Sequence, residues 1–142
     1  MPAHIKVRNL QRRIPVNVAN LQLFAGKALG RCLQLHKQKD TELATLDEVF
    51  VWLISDRRMA SLHQKFMHQT GPTDVLTFQH GEIFISVETA KKHARAFGTS
   101  LAAELSLYIA HGLLHLHGFD DQTQATERKM QRMQKEILRE SL

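Results

Sequence analysis

The stretch Ala110-His111-Gly112-Leu113-Leu114-His115-Leu116-His117-Gly118-Phe119-Asp120-Asp121 reads as the end of a helix buried at the centre of a domain. Upstream, Leu101, Leu105, Ile109 and Leu113 fall on one stripe, and Leu107, Ala110 and Leu114 on another. A helix that is apolar nearly all round has no solvent face to offer, so other elements must surround it. Ser100 suits the N-cap and Gly118 suits the left-handed residue that ends the helix.

The elements that would surround it follow from periodicity. His4 to Leu10 alternates Ile5 and Val7 with Lys6 and Arg8, the pattern of a half-exposed edge strand. Asn17 caps a helix with Leu21, Phe24, Ala25, Ala28, Leu29 and Cys32 on one face. Val49 to Ile54 is continuously apolar, as a strand covered on both faces should be. Ser55 or Asp56 starts a short helix with Met59, Leu62 and Phe66 inward, and Thr70 to Thr73 forms a turn. Val75 to Phe78 and Ile83 to Ile85 pair as strands of a hairpin. Ser86 opens a helix that Gly98 ends, and a last helix from about Gln122 to Glu140 buries Met130, Met133 and Ile137. About four strands and five helices, with the strands central, predict an α+β domain.

The chain has 142 residues, a length that fits a single domain spanning 1–142. No run approaches the roughly 20 apolar residues of a membrane span, and no apolar signal core follows Met1. Cys32 is the only cysteine, which excludes an internal disulfide framework. A soluble, cytoplasmic protein is the expectation. The formal charge of +5 comes from basic residues spread along the chain, including Arg57, Arg58 and Lys65. Such a surplus favours polyanionic partners and serves solubility equally well.

The chemistry concentrates on the central helix. His111 and His115 are four residues apart and share a helical face, close enough to share a metal ion. After the bend at Gly118, Asp121 returns a carboxylate toward the same point. This His-x3-His-x5-Asp pattern has the ligand spacing of metzincin zinc sites. Metal coordination removes the cost of burying two imidazoles. The alternative is a pair of core histidines held by hydrogen bonds, with Glu104 as a partner. Two nitrogens and one oxygen leave a fourth corner open, as catalytic sites do. Zinc is the default ion, and ferrous iron or manganese suits the same donors. Asp120 is open to three roles: ligand in place of Asp121, cap of the next helix, or proton acceptor. His117 points elsewhere, toward solvent, RNA or the support of a ligand. Gly112 stands where a zincin protease carries its catalytic glutamate.

This stretch resembles the signature of the YbeY endoribonuclease family, His-Gly-x-Leu-His-Leu-x-Gly-Tyr/Phe-Asp-His. Gly71-Pro72-Thr73-Asp74-Val75-Leu76-Thr77-Phe78 is similar to the family's Pro-Thr-Asp-Val-Leu-Ser-Phe segment. Gly81-Glu82-Ile83-Phe84-Ile85-Ser86 is similar to its Gly-Asp-Ile strand. The blocks occur in the family's order, and the likeness runs from about Val49 to the C-terminus. The resemblance implies a mixed four-stranded sheet with about five helices and one zinc ion on the central helix. It implies a metal-dependent, single-strand-specific endoribonuclease of ribosomal RNA maturation, including the small-subunit 3′ end, and of ribosome quality control. The partners so implied are single-stranded ribosomal RNA and the ribosome or small-subunit proteins, with no membrane and no small-molecule cofactor.

Three positions depart from the family pattern. Asp121 replaces the usual third histidine, which takes one unit of charge off the site. Met67 stands where relatives place an arginine, so Arg57, Arg58 and Lys65 are the candidates for contacting RNA. The connection Gln79-His80 is short. Two other functions fit parts of the pattern: a non-catalytic, metal-containing ribosome-assembly factor and a metzincin-like metalloprotease.

Overall fold

A computed structural model describes residues 4–35, 43–68 and 73–141. Four strands, β1 (His4–Asn9), β2 (Glu48–Ile54), β3 (Val75–Phe78) and β4 (Glu82–Ser86), form one sheet in the order β1-β2-β4-β3. β1, β2 and β4 run parallel, and β3 pairs antiparallel with β4. Five helices accompany them: α1 (Val18–Gln34), α2 (Asp56–Met67), α3 (Val87–Phe97), α4 (Leu101–Leu116) and α5 (Gln124–Ser141). The architecture is α+β, as the sequence predicts, with the mixed four-stranded sheet that the family resemblance implies. The turn expected at Thr70 to Thr73 lies largely outside the described residues.

Side-chain alternation divides the sheet into two faces. Ile5, Val7, Val49, Val51, Leu53, Ile83 and Ile85 point to one face and join the main core with α1, α4 and α5. On the other face Ile54, Leu76 and Met59 of α2 make a smaller core, edged by Trp52, Leu62, Phe78 and Phe84. β2 is therefore covered less completely than its apolar run suggests: Phe50 and Trp52 stay half-buried and stack on each other. Phe66 is likewise more exposed than expected, because its ring meets only the edge of the smaller core, packed edge-on against Phe78 at 5.4 Å.

α4 is the central helix. It packs on β3 and β4 and is flanked by α1, α3 and α5. Gly112 lets it press onto β4: a Cβ there would lie 2.8–3.0 Å from three carbons of the Ile83 side chain. Every helix start among α1–α4 is capped as read from the sequence, by Asn17, Ser55, Ser86 and Ser100. α5 is opened instead by Thr123, whose hydroxyl accepts from the Thr126 N–H at 3.1 Å. Cys32 is fully buried against α4, its thiol donating to the Leu113 carbonyl, and burial pushes its pKa up to about 12.

Candidate metal centre

α4 ends as the glycine requires. Gly118 has φ +96°, and the Phe119 N–H donates to the Leu114 carbonyl at 3.0 Å, reversing the chain. Asp121 is thereby brought back over the last two turns of α4. One donor atom from each of His111, His115 and Asp121 lies within 4.8 Å of the others. The two Nε2 atoms are 3.0 Å apart, and the Asp121 oxygens stand 3.8 Å from His111 Nε2 and 3.9 Å from His115 Nε2.

The two rings have other partners of their own. His111 Nδ1 donates to Gln134 Oε1 of α5 at 2.5 Å, and His115 donates to the backbone carbonyl of Phe119. Both Nε2 lone pairs then face each other and the Asp121 carboxylate, three Lewis bases aimed at one point. Two imidazoles on one tetrahedral ion place their nitrogens roughly 3.3 Å apart, so the donor set fits a single divalent metal. His115 is held below the ordinary imidazole range by burial first and by neighbouring His111 second, and so is ready as a neutral ligand.

Gln134 is the residue that sequence reasoning missed. It sits four residues after Met130 and three before Ile137, on the buried stripe of α5. A polar side chain on an apolar stripe is the signal that finds it. Glu104 does not serve the histidines. It accepts hydrogen bonds from Thr99, at 2.9 Å, and from Tyr108.

Three further residues are placed by the structure. Asp120 accepts the Gln122 N–H at 3.3 Å, a local turn contact, while Thr123 caps α5. His117 does not face solvent. It is 4% exposed, and its Nε2 donates to the Leu35 carbonyl at 2.7 Å, because the helix has ended and the ring turns inward beside Phe119. Arg57, Arg58 and Lys65 stand on α2, which packs on the face of the sheet opposite α4.

Two clefts open beside His111. One, of about 170 Å³, is lined by Val75, Leu76, Thr77, Gln79, His111 and His115. The other, of about 250 Å³, is lined by Asp74, Val75, Leu107, Tyr108, His111, Asp121 and Gln134. Neither lining includes a lysine or arginine. β3 is an edge strand here, and the Val75 N–H on its free side is taken by Asp74 Oδ1 at 2.8 Å.

Fold and site define a small α+β protein with an open His₂Asp candidate metal centre at the end of its central helix. A profile of the family described as Endoribonuclease YbeY matches residues 6–141. The chain is 33% identical over 151 residues to the Endoribonuclease YbeY of Leifsonia xyli, covering 94% of this chain and 92% of that one. It is 36% identical over 102 residues to that of an Anaeromyxobacter species, and there it spans 53% of the relative's length. A solution structure from Thermotoga maritima superposes with a TM-score of 0.67 at 26% identity, covering 96% of this chain and 88% of that one. The chain belongs to the YbeY family.

Proposed function

We propose that this protein is a metal-dependent endoribonuclease that cuts single-stranded ribosomal RNA during maturation, including the small-subunit 3′ end, and in ribosome quality control. Membership of a family whose relatives are named endoribonucleases supports the reaction class. The single observation that carries the mechanism is the convergence of His111, His115 and Asp121 between two clefts. When bound, a divalent ion supplies Lewis-acid polarisation of a phosphoryl oxygen and a more acidic water.

The chain's own residues do the rest. His111, His115 and Asp121 hold the ion, and Gln134 fixes the tautomer of His111. Asp120, beside Asp121, is the candidate proton acceptor. The clefts admit an exposed backbone more readily than a duplex, which favours single strands. Arg57, Arg58 and Lys65 attract RNA from the far side of the sheet rather than at the cut. Zinc is the ion the donors suit best, with iron or manganese as alternatives. We read residues 1–142 as one domain working in the cytoplasm beside ribosomes and small-subunit proteins. Among the described residues, no helix is long and apolar enough to cross a membrane.

The deciding experiment is elemental analysis of purified protein together with cleavage of single-stranded ribosomal RNA, for the wild type and His111→Ala. One ion per chain and cleavage that the substitution abolishes are the expected results. An empty, inactive wild type after metal loading refutes the reading.

A second reading, a non-catalytic assembly factor whose ion is structural, is favoured by one observation: neither cleft lining includes a lysine or arginine. RNA binding without cleavage by the loaded protein would select it. The metalloprotease reading is disfavoured by Gly112, which sits where the proton acceptor would be and is pressed against Ile83. It is disfavoured again by the sealed Val75 N–H, a donor that a peptide strand along β3 would need.

A further inference from the structure

The larger cleft has a wall that the metal centre does not explain. Tyr108 is buried on α4, and its hydroxyl proton goes to Glu104, itself buried and also bound by Thr99. His93 Nδ1 lies 2.6 Å from the same Tyr108 oxygen, so the ring nitrogen must be the donor in that contact. His93 Nδ1 also stands 4.0 Å from Asp74 Oδ2. Since Tyr108 and Asp74 both line the cleft, His93 is fixed at its rim. One helical turn beyond His93 on α3 is Phe97, with ring centroids 6.0 Å apart.

Phe97 is 72% exposed, more than any other large hydrophobic residue among those described. It closes a run of rings, Tyr108 to His93 to Phe97, that leads outward from the cleft shared with His111 and Asp121. α3 also carries Lys91, Lys92 and Arg95 against one acidic residue, Glu88; Lys92 pairs with Asp56 at 3.5 Å, and the excess left along the helix is still positive, which suits a polyanion. An exposed aromatic ring on a basic helix beside a phosphodiester site has a specific use in single-strand recognition: it stacks an unpaired base.

We propose that Phe97, steadied by the Glu104–Tyr108–His93 chain, is the stacking platform for an unpaired nucleotide flanking the scissile phosphate. The assignment rests on the ribonuclease reading above. Phe97 touches the base, whereas His93 and Tyr108 act as positioning residues.

The test uses metal-loaded full-length protein and single-stranded RNA carrying 2-aminopurine at successive positions along the strand. Wild type should quench the probe at one position near the cut. Phe97→Ala should abolish that quench, weaken binding by roughly five- to tenfold, and raise KM by a similar factor with kcat little changed. Phe97→Trp should restore all three. Leu23→Ala, another exposed apolar residue, on α1, should leave them at wild-type values.

Phe97→Ala protein that binds, quenches and cuts like the wild type overturns the platform and leaves the nuclease reading standing. A concentration-dependent dimer of the wild type that Phe97→Ala dissociates also overturns it, since the ring would then serve self-association. A loaded wild type that neither binds nor cuts RNA removes both proposals together.

Discussion

His111 Nε2 and His115 Nε2 lie 3.0 Å apart, and the other nitrogen of each ring is already committed to an acceptor. Without a cation the pair must share a proton or repel. A divalent ion held between them would remove that repulsion, and its binding should register as stability. At free zinc near one hundred times Kd, the gain is about 2.7 kcal/mol. Thermal melts with added zinc and with chelator should separate by several degrees. His115→Ala should erase the separation.

Gln134 should matter to affinity more than to folding. Its carbonyl holds His111 in the tautomer that frees Nε2. Losing such an outer partner typically costs about 10- to 100-fold in metal affinity. Gln134→Leu should show that loss in a competition titration against a coloured chelator. Gln134→Glu, which keeps an acceptor, should retain or strengthen binding.

Gly112 should not tolerate a side chain. A methyl group there meets Ile83 at 2.8–3.0 Å in a fully packed core. Overpacking of this kind costs about 1–3 kcal/mol, enough to outweigh the better helix propensity of alanine. Urea unfolding should show the loss for Gly112→Ala and a smaller one when Ile83→Ala is already present. Gly112→Glu, which restores the protease-type sequence, should fail to fold rather than gain peptidase activity.

The metal-free protein should lose stability on mild acidification. Burial, then the neighbouring His111, lowers the folded pKa of His115, so the unfolded chain takes up the proton first. Stability is then present above the unfolded imidazole value of about 6.5 and is lost as pH falls through it, levelling off below the folded value. Melting temperatures measured between pH 8 and about 5 should fall less steeply in His115→Gln, a variant that cannot titrate there.

The strands, helices and helix caps were legible because each has a local cause. Ser100 and Gly118 bound α4 by backbone chemistry alone, and Asn17, Ser55 and Ser86 do the same elsewhere. The convergence of His111, His115 and Asp121 was legible because two of them share a helix and the third follows one sharp bend. Gln134 was not read, since its partner lies 23 residues away and only tertiary packing joins them. His117 was misread for the same reason: its acceptor on Leu35 is 82 residues distant. Partial cover over Phe50 and Trp52 was also out of reach, because an apolar run does not say how far a neighbouring helix extends.

The bend at Gly118 makes the triad a joint between successive parts of the chain. His111 and His115 belong to the helix before it, while Asp121 and Gln134 arrive only after it. A cation held there would pin α4 to the segment leading into α5, so the centre and its Gln134 support would be whole only once α5 has docked on α4.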